Sequence, residues 1–201
     1  IVQDPALTVA ATEVAQMFGS SDQIGGPDSA GGHLRFVLRK HGVSDAHVTP
    51  FTVRHGDTHE ISEQFPKLIS RLERRLFPTH LGVGSHHGVH GWTTTVLMVH
   101  RGIQLDRMLP VRWEPGGTLH IKGSVRRGYF RPRILVSSPR HGQVQDAIVQ
   151  AQARRFELAV HFAAGAGRYG LEFVADSQYG PVVLHKWSVY VGVEPPPLPI
   201  V

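Results

Sequence analysis

Chemistry in this chain has to be sought first among its histidines, of which there are 14. The densest group is Ser85-His86-His87-Gly88-Val89-His90. Imidazoles at i, i+1 and i+4 on a turn could bring two nitrogens to one zinc or copper ion, which makes His86, His87 and His90 the candidate metal ligands. A third ligand and a supporting second layer would still be needed, and no carboxylate stands nearby in sequence. The competing reading is a polar hairpin tip. His55 and His59 are four apart, but Gly56 and Asp57 lie between them, so a shared helical face is not expected.

Other reaction centres fare worse. The chain has no cysteine, which removes disulfides, thiolate metal sites and cysteine nucleophiles together. No serine occupies a G-x-S-x-G turn. Ile1-Val2 is like the processed start of a trypsin-type protease, yet G-D-S-G-G is absent. Gly25-Gly26 runs into Pro27, and Gly82-x-Gly84 lacks the third glycine and following helix of a phosphate loop. No catalytic residue and no organic cofactor is assigned.

The net charge is +5 with a pI near 10.0, arginine greatly outnumbering lysine. A basic chain suits an acidic partner. The densest groups are Arg71/Arg74/Arg75 and Arg126/Arg127/Arg131/Arg133. Their scatter equally fits a plain solvated surface, so nucleic acid is not the favoured partner. The tail Glu194-Pro195-Pro196-Pro197-Leu198-Pro199 reads as polyproline II, able to dock Pro195, Pro196 and Pro197 on an aromatic groove. No apolar run approaches the ~18 residues needed for a transmembrane helix. The chain opens on Ile1, as expected where an initiator or leader has been removed.

The elements that position these residues follow from periodicity. Asp4-Pro5 is a cap and first-turn pair opening a helix, with Leu7, Ala10, Ala11, Val14, Ala15 and Phe18 on one stripe. Ser20 to Gly32 reads as a loop, Ala30 to His41 as a second helix with Gly42 at C′, and Val48 to Val53 as a strand broken by Pro50. Asp57-Thr58-His59-Glu60 has capping-box spacing and opens a third helix to Phe77, kinked at Pro66. The period then changes to two: Thr79–Gly84, a turn Ser85–Gly91, and Trp92–Arg101.

From Thr118 short strands recur at Thr118–Val125, Arg133–Ser137, Val144–Val149, Arg154–Phe162, Arg168–Ala175 and Val182–Gly192. Nothing long enough for crossover helices separates them, so an antiparallel sandwich is expected. Gly167-Arg168-Tyr169-Gly170-Leu171 resembles the G-x-Y-x-L opening of strand F in immunoglobulin-like and fibronectin-like sandwiches. That resemblance implies a tyrosine hydroxyl bonded to upstream backbone.

Leu7 to Ala15, then Thr79-His80-Leu81-Gly82-Val83-Gly84 followed by Trp92 to Val99, together resemble a short CAP domain (cysteine-rich secretory, antigen 5 and pathogenesis-related-1). The resemblance covers about 100 residues. The family's S-P-G-H-R stretch is replaced by Arg75-Leu76-Phe77-Pro78, G-H-Y/F-T-Q is missing, and its His/Glu tetrad does not map onto His55, His59, Glu60 or His100. It therefore implies a CAP scaffold without its site, in a periplasmic, cell-surface or secreted bacterial protein.

The expected architecture is thus a CAP-like α+β domain over 1–107, helices packed on a β-hairpin sheet. An all-β immunoglobulin-like antiparallel sandwich over 108–194 and a proline-rich tail over 195–201 follow. The expected function is that of a non-enzymatic structural or interaction protein of the bacterial envelope or exterior, with a protein partner or self-assembly, as a subunit of a larger assembly. No small-molecule substrate is evident. Metal binding through the histidine cluster, and polyanion binding through Arg126, Arg127, Arg131 and Arg133, are the alternatives.

Overall fold

A computed structural model describes residues 1–20, 27–56, 66–67, 70, 77–139, 144–147, 149–152 and 154–196. The chain divides into two compact units, Ile1–His100 and Arg101–Val201.

In the first unit, helix α1 (Pro5–Ser20) begins as its sequence dictates: Leu7 N–H donates to Asp4 Oδ1 at 3.0 Å, an N-cap bond satisfying a donor that the first turn leaves free. Helix α2 spans Pro27–Lys40, so its start takes residues that composition assigns to a loop; Pro27 sits at the first helical position, where its missing N–H is harmless. It ends at Gly42 (φ 73°), where Gly42 N–H reaches Arg39 O and Val43 N–H reaches Leu38 O. That is a Schellman close, with Val43 and Leu38 both buried. The third helix expected over Asp57–Phe77 lies outside the described residues except Pro66, Lys67 and Ser70, which are helical, and Phe77, which is exposed and not helical, so the helix stops short of its expected end.

Strands β1 (Val2–Gln3), β2 (Val48–His55), β3 (His80–Gly88) and β4 (Gly91–Val99) form one sheet in the order β1-β3-β4-β2. Pro50 does not break β2, because β2 is an edge strand and its missing N–H interrupts no ladder on the open side. Helix α1 lies directly on β3: a Cβ at Gly82 would sit 2.1 Å from the Leu7 backbone, and one at Gly84 2.1 Å from Thr12 N. Leu7, Ala10, Ala11 and Val14 pack there with Val37, Leu38, Leu97 and Val99.

In the second unit, β5 (Ile103–Leu105), β7 (Thr118–Val125), β10 (Val149–Gln152) and β11 (Arg155–His161) form a sheet ordered β10-β11-β7-β5. Strands β6 (Arg112–Trp113), β8 (Phe130–Ser137), β9 (Val144–Ala147), β12 (Gly167–Ser177) and β13 (Gly180–Val191) form another, ordered β6-β13-β12-β8-β9. Pairing is antiparallel except between β6 and β13. Both sheets contribute to one core, in which Phe156 meets Phe173 and Phe162 meets Tyr169 edge-on at 4.9 Å. Tyr169 donates its hydroxyl to Gly165 O at 2.9 Å, the upstream bond that its sequence context predicts.

The expected architecture needs correction. Among the described residues the chain is mostly β, 52% strand against 18% in helices α1 and α2, with three separate sheets; the CAP-like α+β unit ahead of an immunoglobulin-like sandwich is not what the chain builds. The physical reason is that segments read as punctuation are extended. Ser85–Gly88 continue β3, β2 runs through Pro50, and β5 and β6 add strands ahead of Thr118.

Candidate anion-binding site

The link between β7 and β8 is a tight turn. Tyr129 N–H donates to Arg126 O at 3.1 Å, and Gly128 takes φ 98°, the third-position requirement of a type II turn. Arg127 therefore stands at the tip. Two further segments are tied to the same end: Arg126 N–H donates to Gly102 O at 2.9 Å, and Val125 N–H to Arg154 O at 2.8 Å. A third arrives through the sheet, since Phe130 pairs with Asp176. The β12–β13 turn follows directly, held by Ser177 Oγ donating to Gly180 O and accepting from Tyr179 N–H.

Arg131 has φ 49° and is the one non-glycine residue with positive φ among the described residues. An L-residue there costs roughly 1 kcal/mol or more, and preceding Pro132 it is further disfavoured. The consequence is local: Phe130 and Arg131, neighbours that a regular strand would place on opposite faces, are both exposed.

The charge is one-sided. Arg126, Arg127, Arg131 and Arg154 are exposed and have no ion pair among the described residues. Arg133, grouped with them by sequence, is instead held by Asp176 at 3.1 Å, and Arg155 lies 3.6 Å from Asp106. Unbalanced guanidinium groups gathered at one end of a domain repel, and an anion relieves that repulsion. Tyr129 is half-buried with its phenol pKa raised by burial, against the opposing pull of Arg126, so it remains a neutral phenol. Its ring lies over Gly102, where a Cβ would come within 3.1 Å. Two other rings stay in water: Phe130 is 48% exposed and Tyr179 68%.

Sequence grouping included Arg133 and missed Arg154. Arg154 is 23 positions beyond Arg131 in the chain, and the β7–β11 register brings it to the same end. Pairing the two strands from their apolar alternation would have found it.

The histidine cluster is taken apart by its strand. His86 is half-buried near Gly19, where a Cβ would approach its ring to 2.8 Å. His87 projects from the other face against Trp92, with ring centroids 5.0 Å apart. His90 occupies the two-residue turn. No group of three or more His, Asp or Glu suited to a metal ion occurs among the described residues. His55 is buried, its Nε2 3.0 Å from Thr94 Oγ1, which is itself 2.8 Å from Ser85 Oγ. Pro195 is half-buried and Pro196 exposed beside the Arg112–Glu194 ion pair, while Pro197 lies outside the described residues. Along α1 runs an open groove of about 580 Å³ with Val9, Glu13, Met17 and Lys40 in its wall. No helix among the described residues is long and apolar enough to cross a membrane.

Compared with protein-family models and with curated proteins, the chain matches none.

Proposed function

We propose that this protein works by binding, as an interaction protein that takes an acidic partner at the turn-bearing end of its second unit. One observation carries the reading: Arg126, Arg127, Arg131 and Arg154 converge there from two separate connections, exposed and without carboxylate partners among the described residues. Guanidinium groups are weakly hydrated planar forks that match carboxylate and phosphate oxygens two at a time.

The test is retention on immobilised polyphosphate across a salt series. If four arginines each displace a counterion, the logarithm of affinity falls against the logarithm of salt with a slope of roughly −3. Arg126→Glu/Arg127→Glu/Arg154→Glu abolishes retention at moderate salt, whereas Lys122→Glu, already paired with Glu157 at 2.9 Å in mid-sheet, changes it little. Equal loss in the two variants, or no retention of the parent protein at low salt, ends the reading.

A further inference from the structure

Charge alone does not choose among anions; the rings beside it do. Phe130 is half exposed between Tyr129 and Arg131, and Tyr179 is the more exposed of the two at the neighbouring turn. We propose that the ligand of this end is a single-stranded nucleic acid, its phosphates taken by Arg126, Arg127, Arg131 and Arg154 and its bases stacked on Phe130 and Tyr179. The proposal rests on the anion-binding reading above and narrows it to one chemistry.

Three observations favour this ligand. Phe130 has no hydrogen-bonding group, so it can recognise only a flat face, and every unpaired base presents one. A duplex keeps those faces inside its own stack, which leaves exposed rings nothing to take. An acidic polysaccharide offers anions too, but its hydroxyl-rimmed sugars call for hydrogen-bond acceptors. The two carboxylates near this end, Asp106 and Asp176, are engaged by Arg155 and Arg133. The strained φ of Arg131 fits the same design: it takes Phe130 and Arg131 out of strand alternation, so ring and guanidinium face water as neighbours.

The experiment uses the full chain and fluorescence anisotropy with labelled oligothymidylate, competed by polyphosphate, by the same oligothymidylate annealed to its complement, and by polygalacturonate. The expected result is binding to oligothymidylate that the duplex and polygalacturonate displace poorly. Phe130→Ala and Tyr179→Ala each weaken it by roughly 5- to 150-fold, the range found when one stacking ring is removed. Both leave polyphosphate retention unchanged, and Phe130→Trp restores oligothymidylate binding, which separates stacking from damage to the turn. Should polyphosphate or polygalacturonate compete as well as unlabelled oligothymidylate, or should both alanine variants bind it normally, the inference falls while the anion-binding reading stands. Should the parent chain bind neither polyphosphate nor oligothymidylate, both fall.

Discussion

At Gly84 the difference between a hydrogen and a methyl group decides whether helix α1 can rest on its sheet. An added Cβ would lie 2.1 Å from Thr12 N, against backbone that has no rotamer to yield, and Gly82 meets the Leu7–Thr8 backbone in the same way. Gly84→Ala should therefore lift the helix and destabilise the first unit by at least ~3 kcal/mol, at the upper end of overpacking penalties. At Gly170 a Cβ would meet only Ser137 at 3.6 Å, and Gly170→Ala should stay within about 0.5 kcal/mol. Urea melts of the two variants check the contrast, and equal midpoints would refute the close approach. In sequence Gly82-x-Gly84 is legible as part of a strand and as an incomplete phosphate loop, but not as a seat for a helix, because nothing local says that residues 7 to 12 will cross that strand face. Tyr169 is the opposite case, its partner being only four residues away. Tyr169→Phe keeps the ring against Phe162 and loses the bond to Gly165 O, for an expected cost of about 1 kcal/mol in the same assay.

Between elements, α1 and α2 are joined by a polar tie as well as by their apolar stripes. Glu13 accepts from Lys40 Nζ at 2.9 Å and lies 2.7 Å from His41 Nε2. Burial acts to raise the Glu13 pKa, but the hydrogen bonds and positive charges of Lys40 and His41 outweigh it, leaving a net lowering. A carboxylate lowered in the folded state binds fewer protons there than when unfolded. Its stabilisation is then complete above the ordinary carboxylate range and is lost as pH falls through the lowered value. The stability gap between the parent chain and Glu13→Gln should accordingly shrink as pH falls from about 5 down through and below the ordinary carboxylate range; a gap constant across that fall would show that the tie contributes nothing through charge. The apolar stripes and the caps of these helices are legible in the residues, since Asp4-Pro5 and Gly42 act on their own turns. The extent of β2 and β3 is not. Pro50 and the glycines of β3 signal breaks locally, and only the edge position of β2 and the helix lying over β3 make extended backbone the better solution. The arginine end shares that limit: Arg126 and Arg127 stand out in sequence, but Arg154 joins them through strand pairing.

At the scale of the whole molecule, the described residues form two clusters of buried apolar side chains that share no member. One is drawn entirely from residues up to Val99, the other entirely from Ile103 onward. Hydrophobic stabilisation scales with the area each cluster removes from water, so a cavity cut in one core draws on that core's own contacts first. Leu97 is fully buried in the first cluster and Phe156 nearly so in the second. Leu97→Ala should cost about 2–5 kcal/mol and Phe156→Ala about 3–5 kcal/mol, each within its own unit. In differential scanning calorimetry the two variants should move different parts of the heat-absorption profile: the calorimetric enthalpy of the parent chain exceeds the van't Hoff value, and each substitution lowers one component while leaving the other in place. Native-state hydrogen exchange would locate the same effects, with Phe156→Ala accelerating amides of β7, β11 and β12 and leaving β3 and β4 protected. If either substitution shifts the entire profile as a single transition, the two cores unfold as one cooperative body, and the separation of the helix-covered sheet from the pair of sheets that follows it in the chain loses its thermodynamic basis.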